Sequence, residues 1–82
     1  MELKKGQVVL SLKGHDKGEL FVVKDISKVK VLLCNGKSRK LEKPKAKNVR
    51  HIAPTEVTLD EESMATDRKL RKTLNKIANP RG

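Results

Sequence analysis

Apolar positions in the first half of the chain fall in short runs cut apart by glycine, asparagine and charged residues. Gln7-Val8-Val9-Leu10-Ser11-Leu12 and Leu20-Phe21-Val22-Val23 are rich in the branched and aromatic residues that pack on a pleated surface, and they are predicted to pair as strands. Between them lies Gly14-His15-Asp16-Lys17-Gly18. Its two glycines supply positive-φ freedom and Asp16 a local hydrogen-bonding side chain, as a tight connection requires. In the first run Val8, Leu10 and Leu12 share a face. In the second, Leu20 and Val22 face one way and Phe21 and Val23 the other, which predicts a central strand covered on both sides.

Asp25-Ile26-Ser27 marks the next turn, after which Lys28-Val29-Lys30-Val31 alternates, with Val29, Val31 and Leu33 inward and Lys28 and Lys30 in water. Asn35-Gly36 then predicts a type I′ hairpin, since both its central positions need positive φ. The strand that must follow is Lys37-Ser38-Arg39-Lys40-Leu41, an edge whose charges discourage further pairing. Glu42-Lys43-Pro44-Lys45-Ala46-Lys47 reads as a loop, because Pro44 has no amide donor and the lysines bury nothing. Val49 and Ile52 mark a last short strand. Such spacing of strands and turns predicts a small antiparallel barrel in a mainly β fold.

Composition changes after Ala53-Pro54, so residues 1–53 are assigned to the barrel, 54–58 to a linker and 59–79 to a C-terminal α-helix. Thr58-Leu59-Asp60-Glu61 fits a capping box. Asp60, Glu61 and Glu62 precede Arg68, Lys69, Arg71, Lys72 and Lys76 in the order the helix dipole favours. Asp67 and Arg71 stand one turn apart, and Asn79-Pro80 ends the run. Leu70, Leu74 and Ile77 make a narrow apolar stripe, so the helix is expected as an appendage without tight packing.

Length and charge narrow the function. Eighty-two residues make one domain at most, and a chain of this size buries about 60% of the surface its unfolded form exposes. Twenty Lys and Arg against ten Asp and Glu leave a formal net charge of +10. A polyanion would relieve that self-repulsion, and nucleic acid is the first candidate. No apolar run is long enough to cross a bilayer, and Met1-Glu2-Leu3-Lys4-Lys5 lacks the apolar stretch of a signal peptide. With a single cysteine, Cys34, and hence no internal disulfide, these features predict a cytoplasmic protein.

Catalytic chemistry finds no constellation. His15 and His51 have no metal-ligand spacing, and the carboxylates form no acid–base pair. Gly14 and Gly18 do not open a helix, as phosphate-binding loops do. Cys34 reads as a small core residue. No enzyme activity, metal or cofactor is therefore expected. Residues 37–50 hold Lys37, Arg39, Lys40, Lys43, Lys45, Lys47 and Arg50 against Glu42 alone, the densest positive block. With Lys13, His15 and Lys17 at the central turn, they form the expected nucleic-acid-binding surface. The plainer reading of the same block is a solvated edge whose lysines guard against aggregation. Phe21 is the single aromatic residue and is expected in the core, so recognition should rest on backbone shape and charge more than on base stacking.

Residues 8–23, with Gly14-His15-Asp16-Lys17-Gly18-Glu19 at their centre, resemble the KOW motif, in which hydrophobic and polar residues alternate around a turn of the form Gly-x-Asp-Lys-Gly. Gly18 stands at the family's near-invariant glycine. The likeness covers residues 6–33, and the continuation through Asn35-Gly36, the basic stretch and residues 49–52 is similar to the ribosomal large-subunit protein "fourteen-e" group and its small bacterial relatives. The resemblance implies an SH3-like barrel that docks on RNA, ribosomal RNA above all, through its hairpin loops and basic edge. Glu19 departs from the pattern, standing where the family often has a basic residue, and the C-terminal helix lies outside the motif. KOW domains also occur in transcription elongation factors of the NusG type, where they contact protein or nucleic acid. Two functions therefore stand open. One is an RNA-binding module associated with the ribosome. The other is a protein-interaction module of the transcription or translation machinery, acting through the Leu70, Leu74 and Ile77 stripe.

Overall fold

The computed structural model describes residues 3–79. Five strands come first: β1 (Gln7–Ser11), β2 (Leu20–Ile26), β3 (Lys30–Cys34), β4 (Lys45–Asn48) and β5 (Ile52–Thr58). A single 3-10 turn, Val49–His51, joins the last two, and one helix, α1 (Asp67–Ala78), follows. All neighbouring strands pair antiparallel in one sheet of order β4-β3-β2-β1-β5. The two strands flanking the central turn pair as their composition predicts, Val8 opposite Val22, Val9 opposite Phe21 and Leu10 opposite Leu20. β2 is the middle strand.

Strand order dictates the shape of the sheet. β4 and β5 are its two edges, yet only Val49–His51 separates them in the chain. In a flat sheet, four strand spacings would hold those edges about 19 Å apart, whereas the four residue steps from Asn48 to Ile52 reach at most about 14 Å. The sheet must curl, and register shifts between Val23 and Asp25 and between Gln7 and Val9 supply extra twist. Its edges do not pair, so the result is an open, curled sheet and not a closed barrel.

Alternation along the strands divides the core in two. Val9, Phe21, Val23, Val31, Leu33 and Ile52 fill the inside of the curl, with Leu3 and Val49 packed against them. Val8, Val22 and Cys34 face the other way and meet Leu70 and Leu74 of α1. β2 is thus buried on both faces, as its unbroken apolar run predicts.

The helix departs from expectation in place and in role. It begins at Asp67, with Thr66 as its N-cap, the Thr66 hydroxyl accepting from the Lys69 amide. Thr58 is instead the last residue of β5, and the Leu59 amide donates to the Gly6 carbonyl at 2.7 Å, which holds the chain to the sheet where the capping box was expected. The expected linker at residues 54–58 is strand. Pro54 lies opposite Val9 on an edge strand, where a missing amide donor is tolerated. Nor is α1 an appendage: Leu70 is fully buried and Leu74 nearly so, each contributing about 2 kcal/mol of apolar burial. Asp67 Oδ1 accepts from the Leu41 amide at 2.7 Å, so that carboxylate ties the helix start to the loop between β3 and β4. Pro80, expected to stop the helix, lies outside the described residues, as do Met1 and Glu2 of the expected lead-in.

Four local expectations also change. Residues 35–43 are loop, and the strand comes later, at Lys45–Asn48, pairing with β3. Asn35 does not take positive φ, so no type I′ turn forms. Its Oδ1 accepts from the Lys37 and Arg39 amides instead. β2 continues through Asp25 and Ile26, and Val29 sits 60% exposed in the turn before β3. Leu12 is past the end of β1 and is exposed, whereas Val8 and Val9 are both buried.

Candidate nucleic-acid interface

The β1–β2 turn is closed by its own backbone. Gly18 N donates to Ser11 O at 2.9 Å, and Ser11 N to Glu19 O at 3.0 Å. Gly14 and Gly18 both sit near φ +90°, in the region other residues avoid. Asp16, between them, is turned inward and is 9% exposed.

A buried polar cluster forms around Asp16. Lys47 reaches it from β4, and its Nζ lies 2.7 Å from each of three acceptors: Asp16 Oδ1, Ser11 Oγ and Lys13 O. All three ammonium hydrogens are thus used. Ser11 Oγ donates to Asp16 Oδ1 at 2.7 Å, and Lys45 Nζ lies 3.2 Å from Asp16 Oδ2. Burial alone would raise the Asp16 carboxyl. Hydrogen bonds from Lys47, Ser11 and Lys45, together with the Lys47 charge, outweigh it and hold the group well below the usual carboxylate range. Lys45 and Lys47 meet one carboxylate because residues two apart in a strand share a face. The cluster ties edge strand β4 to β1 and its turn, where no strand pairing does so.

The ten expected binding residues separate accordingly. Lys47 is 8% exposed and wholly engaged inside the fold, and Lys45 is half-buried with its charge directed at Asp16. Lys13, His15, Lys17, Lys37, Arg39, Lys40, Lys43 and Arg50 are at the surface. Two adjoining clefts gather several of them. In one, His15 of the β1–β2 turn, Arg39 of the 35–43 loop and Lys45 of β4 converge. The other lies toward the helix and takes in Lys37 with Arg71 and Lys72 of α1. Glu19 borders both clefts. Arg50 stands on the Val49–His51 turn, and Lys40 and Lys43 on the far part of the loop.

Among the described residues no group of three or more His, Cys, Asp or Glu could hold a metal ion. Burial pushes the Cys34 thiol up to about 11, so it stays protonated near neutral pH. No described helix is long and apolar enough to cross a membrane.

No family model and no curated protein matches the chain.

Four residues matter here that the sequence reading treated otherwise or passed over. Asp16 is an internal anchor and not merely a turn former. Arg71 and Lys72 join the basic surface only because α1 packs on the sheet. Gly36 is the point of that packing: at φ +74° its Cα faces the helix so closely that an added Cβ would lie 2.2 Å from Asp67 O. The Asn35-Gly36 pair was a visible signal of a special backbone position, though not of what it packs against.

Proposed function

We propose that the protein is a non-enzymatic, cytoplasmic RNA-binding module of the SH3-like KOW type, which associates with structured RNA, ribosomal RNA in the first place. The observation that carries this reading is convergence. His15 of the β1–β2 turn, Arg39 of the 35–43 loop and Lys45 of β4 meet around one cleft that Asp16 and Glu19 also line, in a chain of net charge +10. Phosphates spaced along an RNA backbone are the ligand such a surface fits, and the sheet holds the three segments in fixed relation. The exposed members, Lys13, Lys17, Lys37, Arg39, Lys40, Lys43 and Arg50, bear the phosphate contacts, with His15 beside them. Lys47 and Lys45 act from within, since Asp16 takes their charge. The open, curled antiparallel sheet and the Gly14 to Gly18 turn support the KOW assignment. The stripe of Leu70 and Leu74 faces the sheet, which favours this reading over protein interaction through that stripe.

Binding to ribosomal RNA fragments, followed by fluorescence anisotropy across a salt series, tests the proposal. With four to six phosphates engaged, log affinity falls against log salt with a slope of roughly −3 to −5. Replacing Arg39, Lys40 and Lys43 together by alanine flattens that slope by about 2 to 3. A wild-type protein that fails to bind at low salt refutes the reading.

A further inference from the structure

The helix-side cleft has a different character from the one beside the turn. Leu20 of β2 and Leu74 and Ala78 of α1 form an apolar floor, and Lys37, Arg71 and Lys72 stand around it. Its volume, ≈ 460 Å³, falls within the range of sites that hold small organic ligands. None of the three cations belongs to an ion pair among the described residues, in contrast to Lys45 and Lys47. Glu19 is the one carboxylate on the rim, so the cleft is net positive. Asn35 and Asn75 add amide groups at its wall.

An apolar floor under a cationic rim matches one unstacked nucleotide better than it matches a continuous duplex. A base is flat and apolar on its faces, carries hydrogen-bonding edges, and is attached to an anionic phosphate. Proteins read single-stranded RNA by laying such bases on apolar, aromatic or guanidinium surfaces. Arg71 brings such a guanidinium to the cleft that Leu74 lines, and Asn75 offers a side-chain amide to a base edge. The close approach of Gly36 to the backbone of Asp67 holds the loop that carries Lys37 against the helix that carries Arg71 and Lys72.

We infer that the cleft between α1 and residues 35–37 is a nucleotide subsite, taking one base splayed from a loop or bulge, with its phosphate on Lys37, Arg71 and Lys72. This rests on the RNA-binding reading above and extends it, since it places the helix in the interface and adds a contact to a base.

Backbone and methyl NMR spectra of the full chain, titrated separately with uridine 5′-monophosphate and with inorganic phosphate at millimolar concentration, test the subsite directly. Both ligands should shift the signals of Lys37, Arg71 and Lys72, and the nucleotide alone should shift the Leu20, Leu74 and Ala78 methyls. Identical patterns from the two ligands, or no shifts in the cleft, overturn the inference. A second arm uses Arg71→Ala with Lys72→Ala, both exposed and both changed to a strong helix former, so that folding is retained. Affinity for an RNA carrying an unpaired loop should fall about 20-fold near 0.1 M salt, with the salt slope reduced by about 1.4, the value for two single-strand phosphate contacts. If that variant binds as wild type does while the Arg39, Lys40 and Lys43 variant does not, the subsite is refuted and the RNA reading stands. If the wild type binds no RNA yet shows the nucleotide-specific methyl shifts, the subsite stands and the RNA reading falls.

Discussion

Replacing Asp16 by asparagine should be among the most damaging turn substitutions available to this protein, although its position in the sequence looks like that of an ordinary turn residue. The carboxylate is 9% exposed and accepts from Ser11, Lys45 and Lys47. Asparagine keeps the size and one carbonyl acceptor but removes the charge, leaving Lys47, 8% exposed, with neutral acceptors and no counter-charge. Breaking a buried pair by removing one partner costs about 3–5 kcal/mol. Partial relief is expected as the long lysine stem turns toward water, which favours the lower end. A loss of about 3 kcal/mol corresponds to a fall in Tm of about 12–24 °C for a domain of this size. Thermal unfolding followed by circular dichroism, and urea unfolding at pH 7, measure it. Lys47→Met on its own should cost less, because Lys45 still faces Asp16. The double variant should be more stable than the two single losses added together, since it leaves no Lys47 charge without a partner. The pH dependence has a definite sign. The carboxyl is depressed below its ordinary 3.8 in the folded state, so its stabilisation is complete above that value and is lost as pH falls through the folded value. The gap in stability between wild type and Asp16→Asn should therefore shrink from ~pH 5 to ~pH 2. A gap below about 1 kcal/mol at neutral pH, or single losses that add in the double variant within about 0.5 kcal/mol, refutes the anchoring role.

Gly36→Ala should destabilise by upwards of about 2 kcal/mol, combining left-handed strain with a clash against the Asp67 carbonyl, whereas Gly18→Ala, with nothing within 4 Å of its added Cβ, should cost about 1 kcal/mol; urea midpoints compare the two. Leu74→Ala should cost about 2–4 kcal/mol and expose Val8, Val22 and Cys34 to the same unfolding transition, seen as a single cooperative curve; a change under about 0.5 kcal/mol would mean that α1 is the appendage its thin stripe predicts. Cys34 should resist alkylation by iodoacetamide at pH 8 while the protein is folded and react fully in denaturant, because it is buried and its thiol is pushed up to about 11; rapid labelling of the native protein contradicts that burial.

Local features carried well from sequence to structure. The pairing of the runs around residues 14–18, the double-sided burial of Leu20-Phe21-Val22-Val23 and the mainly β fold all depend on side chains within a few positions of one another. Residues 35–48 did not carry, because two local signals competed with contacts from far along the chain. Asn35-Gly36 has hairpin chemistry, but the Asn35 side chain binds the amides of its own loop and Gly36 lies against α1. Lys45-Ala46-Lys47-Asn48 has the composition of a loop, but β3 offers a free edge and Asp16 offers a counter-charge to the two lysines that share a face.

What the sequence by itself determined is the strand-rich first half, the central glycine turn and the excess of positive charge, since periodicity, φ preference and net charge are properties of short stretches or of composition. Tertiary structure alone decided which lysines face solvent. Lys47 and Lys43 are four residues apart in one basic block, yet the curl of the sheet brings Lys47 onto the buried carboxylate of Asp16 and leaves Lys43 in water. It also decided that Arg71 and Lys72 belong to the same face as Lys37, because the helix that carries them is placed by Leu70 and Leu74 packing on Val8 and Val22. A charge has no fixed role until folding sets its distance from its neighbours and from water, and both distances here are made by contacts between residues more than thirty positions apart.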